Sequence, residues 1–305
     1  MKAVKQTDYS GISGLQVTDQ LEPTLTPMTA LVQTKYTPVL PYDILTEEGQ
    51  LKNIRPVRLP ITVGYGFTGI VTAVGALRSA SLVGQPVLGV SPSGAAQEFI
   101  ANNIPPTLFK LPVNVGLDVA ATVIGGADAA LMAVDELNVT SGDVVLVTGA
   151  SGGVGSYLIQ LLKLCDAHVI AVTSPGNIEF CKRLGADEIV DYTKLLARQL
   201  SAISQPTKIV DTVGSNILLS DLSAHLGGYN MLSLSTQKFP AGKSNQSFRF
   251  SNASIGLHGY TKLLKLLSIG SLQAHIDSIV PFQNIAVAQN RVKSDHVQGR
   301  LLLAY

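Results

Sequence analysis

The chain has 305 residues, 46% of them hydrophobic and 14% charged. Against a usual charged share of about 25%, this argues against disorder and for extensive burial, and the length suits two domains, because single cores stop growing near about 250 to 300 residues. Its 22 Lys and Arg face 21 Asp and Glu, a net charge of +1 with no run of one sign, which leaves no stripe to track a nucleic-acid backbone. Cys165 and Cys181 are too few and wrongly spaced for a disulfide framework or a metal knuckle, as expected in a reducing compartment.

The first residues, MKAVKQTDYSGISG, carry no apolar core behind their lysines and do not read as a secretory signal. The uncharged stretch from Leu59 to Leu77 contains Pro60 and four glycines, which suit buried strands and turns better than a spanning helix. A cytoplasmic protein without membrane association is expected. From Met1 to about Leu117, short β-branched runs such as ALVQTKYTPV, TGIVTAVGAL and QPVLGV are punctuated by Gly and Pro, which predicts a mainly β region.

From Asp118 the period changes. AATVIGGADAALMAVDEL reads as a helix, VVLVTG as a buried strand and GGVGSYLIQLLKLC as a helix that begins in glycines. The strands HVIAVTS, EIVDY, KIVDTVG and YNMLSLS then alternate with helical segments, as in a doubly wound parallel sheet. After Gly256, TKLLKLLSIGSL and FQNIAVAQNRVKS read as amphipathic helices, and GRLLLAY as a closing strand that returns to the first domain.

The turn between Val144 and Lys163 places Gly149, Gly152, Gly153 and Gly155 where a hydrophobic strand passes into a helix. Glycines there admit a pyrophosphate to backbone N–H groups at a helix N-terminus, although the same residues also make an ordinary tight turn. The α/β alternation that follows favours dinucleotide binding. An acidic residue at the end of the second strand would hold a ribose 2′-hydroxyl and repel a 2′-phosphate. That strand ends instead in Thr173 and Ser174, with Asn177 following, which favours NADPH. Ser174, Pro175 and Asn177 also fit a simple turn and helix cap.

Several of these segments carry a family resemblance. VVLVTGASGGVG, NIEFCKRLGADEIVDY, KIVDTVG and HVQGRLLL, with MKAV, GYGFTGIVTAVG and LVGQPVLG near the N-terminus, resemble the zinc-independent quinone oxidoreductase branch of the medium-chain dehydrogenase/reductase superfamily. The resemblance implies an α/β chain: a Rossmann doubly wound sheet over 118–256, and a mainly β, GroES-like catalytic domain from 1–117 and 257–305. It implies NADPH-dependent hydride transfer to quinones or other conjugated carbonyls. The same cofactor would serve an enoyl-thioester or enone reductase, and a catalytically idle nucleotide-binding sensor or assembly protein is a rival from another class.

Carried over by position, Ser151, Gly152, Gly153 and Val154 should line the pyrophosphate, and Ser174, Asn177 and Tyr192 should surround the 2′-phosphate beside Thr173. Val213 and Gly214 should flank a ribose, Ser235 and Thr236 should approach the nicotinamide, and Gly299 and Arg300 should close the groove. The resemblance also implies a homodimer, with strands such as ASIGLHGY pairing across a two-fold axis.

The chain departs from its relatives at several points. Asn177 stands where many carry lysine, Leu40-Pro41-Tyr42-Asp43 replaces an Asn-Pro-x-x-Asp type segment, and Asp128 replaces a threonine. Asp128 reads equally as a helix-start residue or a cofactor contact. Where zinc-dependent relatives have a His–Glu pair, this chain has Gly64-Tyr65-Gly66, and His168, His225, His258, His275 and His296 show no ligand spacing, so no metal is expected. Tyr42 and Tyr65 read as pocket walls, proton donors or packed core. No dedicated acid is compulsory for a conjugated acceptor. Arg55 and Arg58 are the first domain's closest approach to a basic cluster, so a flat, uncharged substrate is expected.

Overall fold

A computed structural model of the chain describes residues 1–240, 242–294 and 297–305; His296 lies outside them. The chain divides into two compact units, Met1–Gly125 with Tyr260–Tyr305, and Gly126–Gly259. No described helix is long and apolar enough to cross a membrane.

The first unit begins with β1 (Lys2–Gln6), β2 (Gln16–Asp19), β3 (Ala30–Pro38), α1 (Pro41–Glu47), β4 (Ile61–Thr62), β5 (Gly66–Val74), β6 (Pro86–Val90), β7 (Phe99–Asn102), β8 (Leu108–Lys110) and α2 (Leu117–Ala121). The second holds α3 (Asp128–Glu136), β9 (Val144–Thr148), α4 (Gly155–Leu164), β10 (His168–Thr173), α5 (Ile178–Arg183), β11 (Glu188–Asp191), α6 (Leu196–Leu200), β12 (Lys208–Asp211), α7 (Asn216–His225), β13 (Tyr229–Ser233) and β14 (Gln246–Phe250). The chain then runs through α8 (Gly256–Ser268) into β15 (Ile276–Pro281), α9 (Ile285–Ser294) and β16 (Arg300–Ala304).

In the second unit the strands lie in the order β11-β10-β9-β12-β13-β14, and every neighbouring pair is parallel. Such strands are covered on both faces and are therefore continuously apolar. Leu146, Ile170, Val172, Val190 and Ile209 are buried in one cluster with Leu219, Leu222 and Met231. The order reverses direction between β9 and β12, so the loops after these two strands diverge at the carboxyl edge, where α/β sheets bind ligands.

In the first unit β1, β2 and β4 form a small antiparallel sheet, and the larger sheet runs β15-β16-β3-β5-β6-β8, with β7 also on β3. β16 pairs antiparallel with β3, Leu302 opposite Pro38 and Ala304 opposite Tyr36, so the closing strand returns as the sequence suggests. The alternation along β3 places Ala30 and Val32 in a core with Phe67, Val71 and Ile100. The α/β class, a parallel sheet in one unit and separate, mainly antiparallel sheets in the other, with only β15 and β16 parallel among the described pairs, is as expected.

Three elements differ from the sequence reading. The helix expected through 120–137 is broken, because Ile124 (ψ 126°) and Gly125 (φ 65°) leave helical geometry. A Cβ on Gly125 would lie 2.7 Å from a Leu40 methyl, so packing in this unit demands the left-handed turn that glycine permits. Secondly, the ASIGLHGY segment is no strand: 251–255 carry no regular structure, and His258 and Tyr260 belong to α8. The amphipathic period of TKLLKLL extends backwards across it. Thirdly, the edge strand β14 and helix α1, both short, lie in stretches that the sequence reading left without elements.

Candidate functional site

The second unit holds most of the residues proposed to meet a cofactor. β9 ends at Thr148, and the chain turns through Gly149 (φ +61°) to enter α4 at Gly155. The glycines of this turn meet different demands. A Cβ on Gly155 would sit 2.3 Å from the Gly149 carbonyl oxygen, and one on Gly149 would sit 2.5 Å from the Thr212 hydroxyl, so both are glycine because the chain packs too closely for a side chain. A Cβ on Gly152 would meet only the Gly149 carbonyl oxygen, at 3.4 Å, and one on Gly176 would meet nothing within 4 Å. The protein itself therefore leaves these two positions open, a cradle that fits close approach of a ligand. No side chain caps the N-terminus of α4; the N–H groups of Ser156, Tyr157 and Leu158 bond back to the carbonyls of Gly152 and Val154, and the end of the helix carries the positive pole of its dipole.

Ser151, Gly152, Gly153 and Val154 are half-buried along this turn. Asn177, nearly fully buried, donates from Nδ2 to the Ser151 hydroxyl at 2.9 Å, tying the turn after β10 to the turn after β9. Ser174 is buried and Thr173 more so, its hydroxyl against the Cys181 thiol, which burial pushes up to about 11. Tyr192 is exposed beyond β11.

At the ends of β12 and β13, one residue that the sequence reading overlooked organises the rest. Asp211 is fully buried. Its carboxylate accepts from the Thr148 hydroxyl at 2.7 Å, the Ser233 hydroxyl at 2.6 Å, and the backbone N–H groups of Val213 and Gly214 at 3.1 and 3.0 Å. The Ser233 hydroxyl accepts in turn from the Thr236 N–H at 2.9 Å. One side chain thus fixes the carboxyl ends of three strands, and with them Val213, Gly214, Ser235 and Thr236. The KIVDTVG segment contained the signal, an acid at the last position of a buried apolar strand.

Gly299, Arg300, Tyr42 and Tyr65 belong to the first unit. Gly299 (φ +82°) admits the His275 carbonyl, which a Cβ would approach to 2.0 Å. Arg300 is buried, and its guanidinium donates to the carbonyl oxygens of Val39 and Gly125. Asp128, in the second unit, accepts from the N–H groups of Gly126 and Ala129 at the start of α3, whose N-terminus no side chain caps.

Around Tyr42 and Tyr65 the first unit builds a polar cluster. The two rings meet edge to face at 6.2 Å, and the Arg55 guanidinium lies 5.2 Å from one centroid and 4.8 Å from the other. Arg55 Nη1 donates to Asp43 Oδ1 at 2.8 Å and to the Thr46 hydroxyl at 3.1 Å. Asp43 and Glu47, one turn apart on α1, are both buried. Burial pushes the Asp43 carboxyl up, opposed by the Arg55 charge. Burial, reinforced by Asp43, pushes Glu47 up to about 8, although its Oε1 accepts from Gln289 Nε2 at 3.0 Å. Asp43, Thr46, Glu47 and Arg55 border a cavity of about 380 Å³ together with Lys5 and Arg58. Lys5, remote in sequence, thus joins Arg55 and Arg58 at one opening, a basic cluster that the sequence reading of this domain did not assemble.

Among the described residues no three His, Cys, Asp or Glu side chains converge to hold a metal. Where zinc-dependent relatives carry a His–Glu pair, a Cβ on Gly66 would lie 2.5 Å from an Ile124 methyl; aliphatic packing takes the space a glutamate would need. Zinc does not fit here.

A family profile described as "Zinc-binding dehydrogenase" matches residues 184–303. The chain is 33% identical over 218 residues to the medium chain reductase pydE of an Acremonium species, which covers 63% of this chain and 60% of that protein. It is 33% identical over 202 residues to the chloroplast envelope quinone oxidoreductase homolog of Arabidopsis thaliana, covering 63% and 61% respectively. These matches span under two thirds of either relative's length. The solved quinone oxidoreductase of Coxiella burnetii superimposes with a TM-score of 0.88 at 25% identity, covering 100% of this chain and 99% of that one.

Proposed function

We propose that the chain, which resembles the quinone oxidoreductase branch of the medium-chain dehydrogenase/reductase superfamily, is an NADPH-dependent oxidoreductase that passes hydride to a quinone or another conjugated carbonyl without zinc. The observation that carries this reading is the Gly149–Gly155 turn, where the fold's own packing requires glycine at 149 and 155 but leaves open space beside Gly152.

In this reading residues 118–256 form the cofactor domain, and 1–117 with 257–305 the catalytic domain. Ser151 to Val154 meet the pyrophosphate at the N-terminus of α4. Ser174 and Tyr192 surround the 2′-phosphate, and Asn177 acts mainly by holding Ser151 in place. The Asp211 network holds Val213 and Gly214 for a ribose, and Ser235 and Thr236 for the nicotinamide. NADPH, when bound, supplies the hydride. The task of the first unit is to present a flat acceptor and exclude water, and Tyr42 and Tyr65, their rings fixed by Arg55, are its proposed walls. We place the protein in the cytoplasm as a homodimer, and its contact at β14, the edge strand whose outer side the sheet leaves unpaired.

NADPH oxidation in the presence of quinones and short enones tests the reading. Turnover with these and none with simple alcohols is expected. Oxidation of ethanol with quinones inert, or failure to bind NADPH, would overturn it.

A further inference from the structure

The cavity in the first unit carries an inference beyond hydride transfer. Its volume, about 380 Å³, falls within the range of small-ligand sites, roughly 300 to 1,000 Å³. Its lining is unusual in charge. Lys5, Arg55 and Arg58 face two carboxyl groups, Asp43 and Glu47. Arg55 neutralises Asp43 through the 2.8 Å ion pair, while burial keeps Glu47 protonated at neutral pH. Among the described residues, Lys5 and Arg58 make no ion pair. The opening therefore carries an excess of positive charge.

The Arg55 guanidinium itself is half used. Asp43 and Thr46 engage only Nη1, so the edge formed by Nε and Nη2 makes no hydrogen bond to the described residues. An arginine presents two parallel N–H groups along that edge, the spacing that matches both oxygens of a carboxylate. The group is also held, by the ion pair with Asp43 and by the two tyrosine rings beside it, so little side-chain entropy remains to be lost when it captures an anion. Pro56, Val57, Pro60 and Ile61 supply an apolar wall beside it.

We propose that this cavity is a binding site for a small planar organic carboxylate, held in two-point fashion by the Nε–Nη2 edge of Arg55, attracted by Lys5 and Arg58, and packed against the proline-rich wall. The site is built within the first unit, and its occupancy needs neither NADPH nor turnover, so it stands or falls separately from the proposed activity.

Titration calorimetry of the full chain without cofactor tests it, with benzoate and its neutral isostere benzamide as probes. Benzoate should bind at least tenfold more tightly than benzamide, and its affinity should fall as salt is raised. Arg55→Lys, which keeps the charge and removes the fork, should lose at least tenfold for benzoate and little for benzamide. Circular dichroism and thermal unfolding establish that the variant folds. The double variant Lys5→Met with Arg58→Met, altered only at the rim, gives an independent reading: benzoate should weaken several-fold and lose most of its salt dependence. No binding of benzoate, equal binding of the two probes, or wild-type benzoate affinity in Arg55→Lys or the rim variant would overturn the proposal.

Discussion

The two units build their candidate sites from different materials. In the second, the cradle is backbone: glycines at the end of β9, an uncapped helix N-terminus, and loops pinned by one buried aspartate. In the first, the pocket is side chain: Arg55 paired with an aspartate and set beside two tyrosine rings, with a protonated glutamate in the same lining. A backbone site depends on a few residues close in sequence and is hard to vary without losing the fold. A side-chain site draws on residues from β1, α1 and the loop before β4, and can be rebuilt one substitution at a time.

The largest effect that separates the two regions should come from Glu47. Its folded carboxyl keeps a proton up to about pH 8, whereas an ordinary glutamate releases it near 4.5. The unfolded chain therefore binds fewer protons between these values, and stability must fall as pH rises through that window. The loss is on the order of 5 kcal/mol, because each tenfold difference in proton affinity between the folded and unfolded chain is worth about 1.4 kcal/mol. Glu47→Gln should abolish this loss, so that the variant overtakes the wild type in unfolding midpoint as pH passes from 5 to 9. Parallel pH profiles would show that the carboxyl is not held neutral.

The next effect divides the glycine turn against itself. Gly155→Ala drives a methyl to 2.3 Å from a backbone oxygen and should destabilise the fold by ~1–3 kcal/mol, as overpacking does. Gly152→Ala meets only one atom, at 3.4 Å, and should keep wild-type stability while losing NADPH affinity. Thermal unfolding and cofactor titration on both variants check the split; a destabilised Gly152→Ala with intact binding would mean that the turn serves packing alone.

Cofactor choice should shift more modestly. NADPH should bind more tightly than NADH by about tenfold, some 1.4 kcal/mol, because the end of β10 offers neutral groups and no repelling acid. Ser174→Asp should reverse the order by setting like charges together. Asn177→Ala removes the tether to Ser151 and should weaken both cofactors alike. Equal affinities across all three proteins would remove Ser174 from the ribose. The smallest effect is expected from chelation: dialysis against EDTA should leave turnover unchanged, and loss restored by zinc would mean that the cleft is misread.

Much of the second unit was legible because its information is local. A strand that must be buried on both faces is a run of Val, Ile and Leu, and a turn that must admit backbone packing or a ligand is glycine; both are readable along the chain. Local pattern thus dictated the parallel sheet, the glycine turn and the return of the last strand to β3. Packing across the fold set the break at Gly125, which follows from where Leu40 lies, and the role of Asp211, whose partners lie on three strands. It also brought Lys5, Arg55 and Arg58 to one cavity. Charge and burial at such a site are set by neighbours distant in sequence, and no period or spacing along the chain encodes which distant side chains will meet.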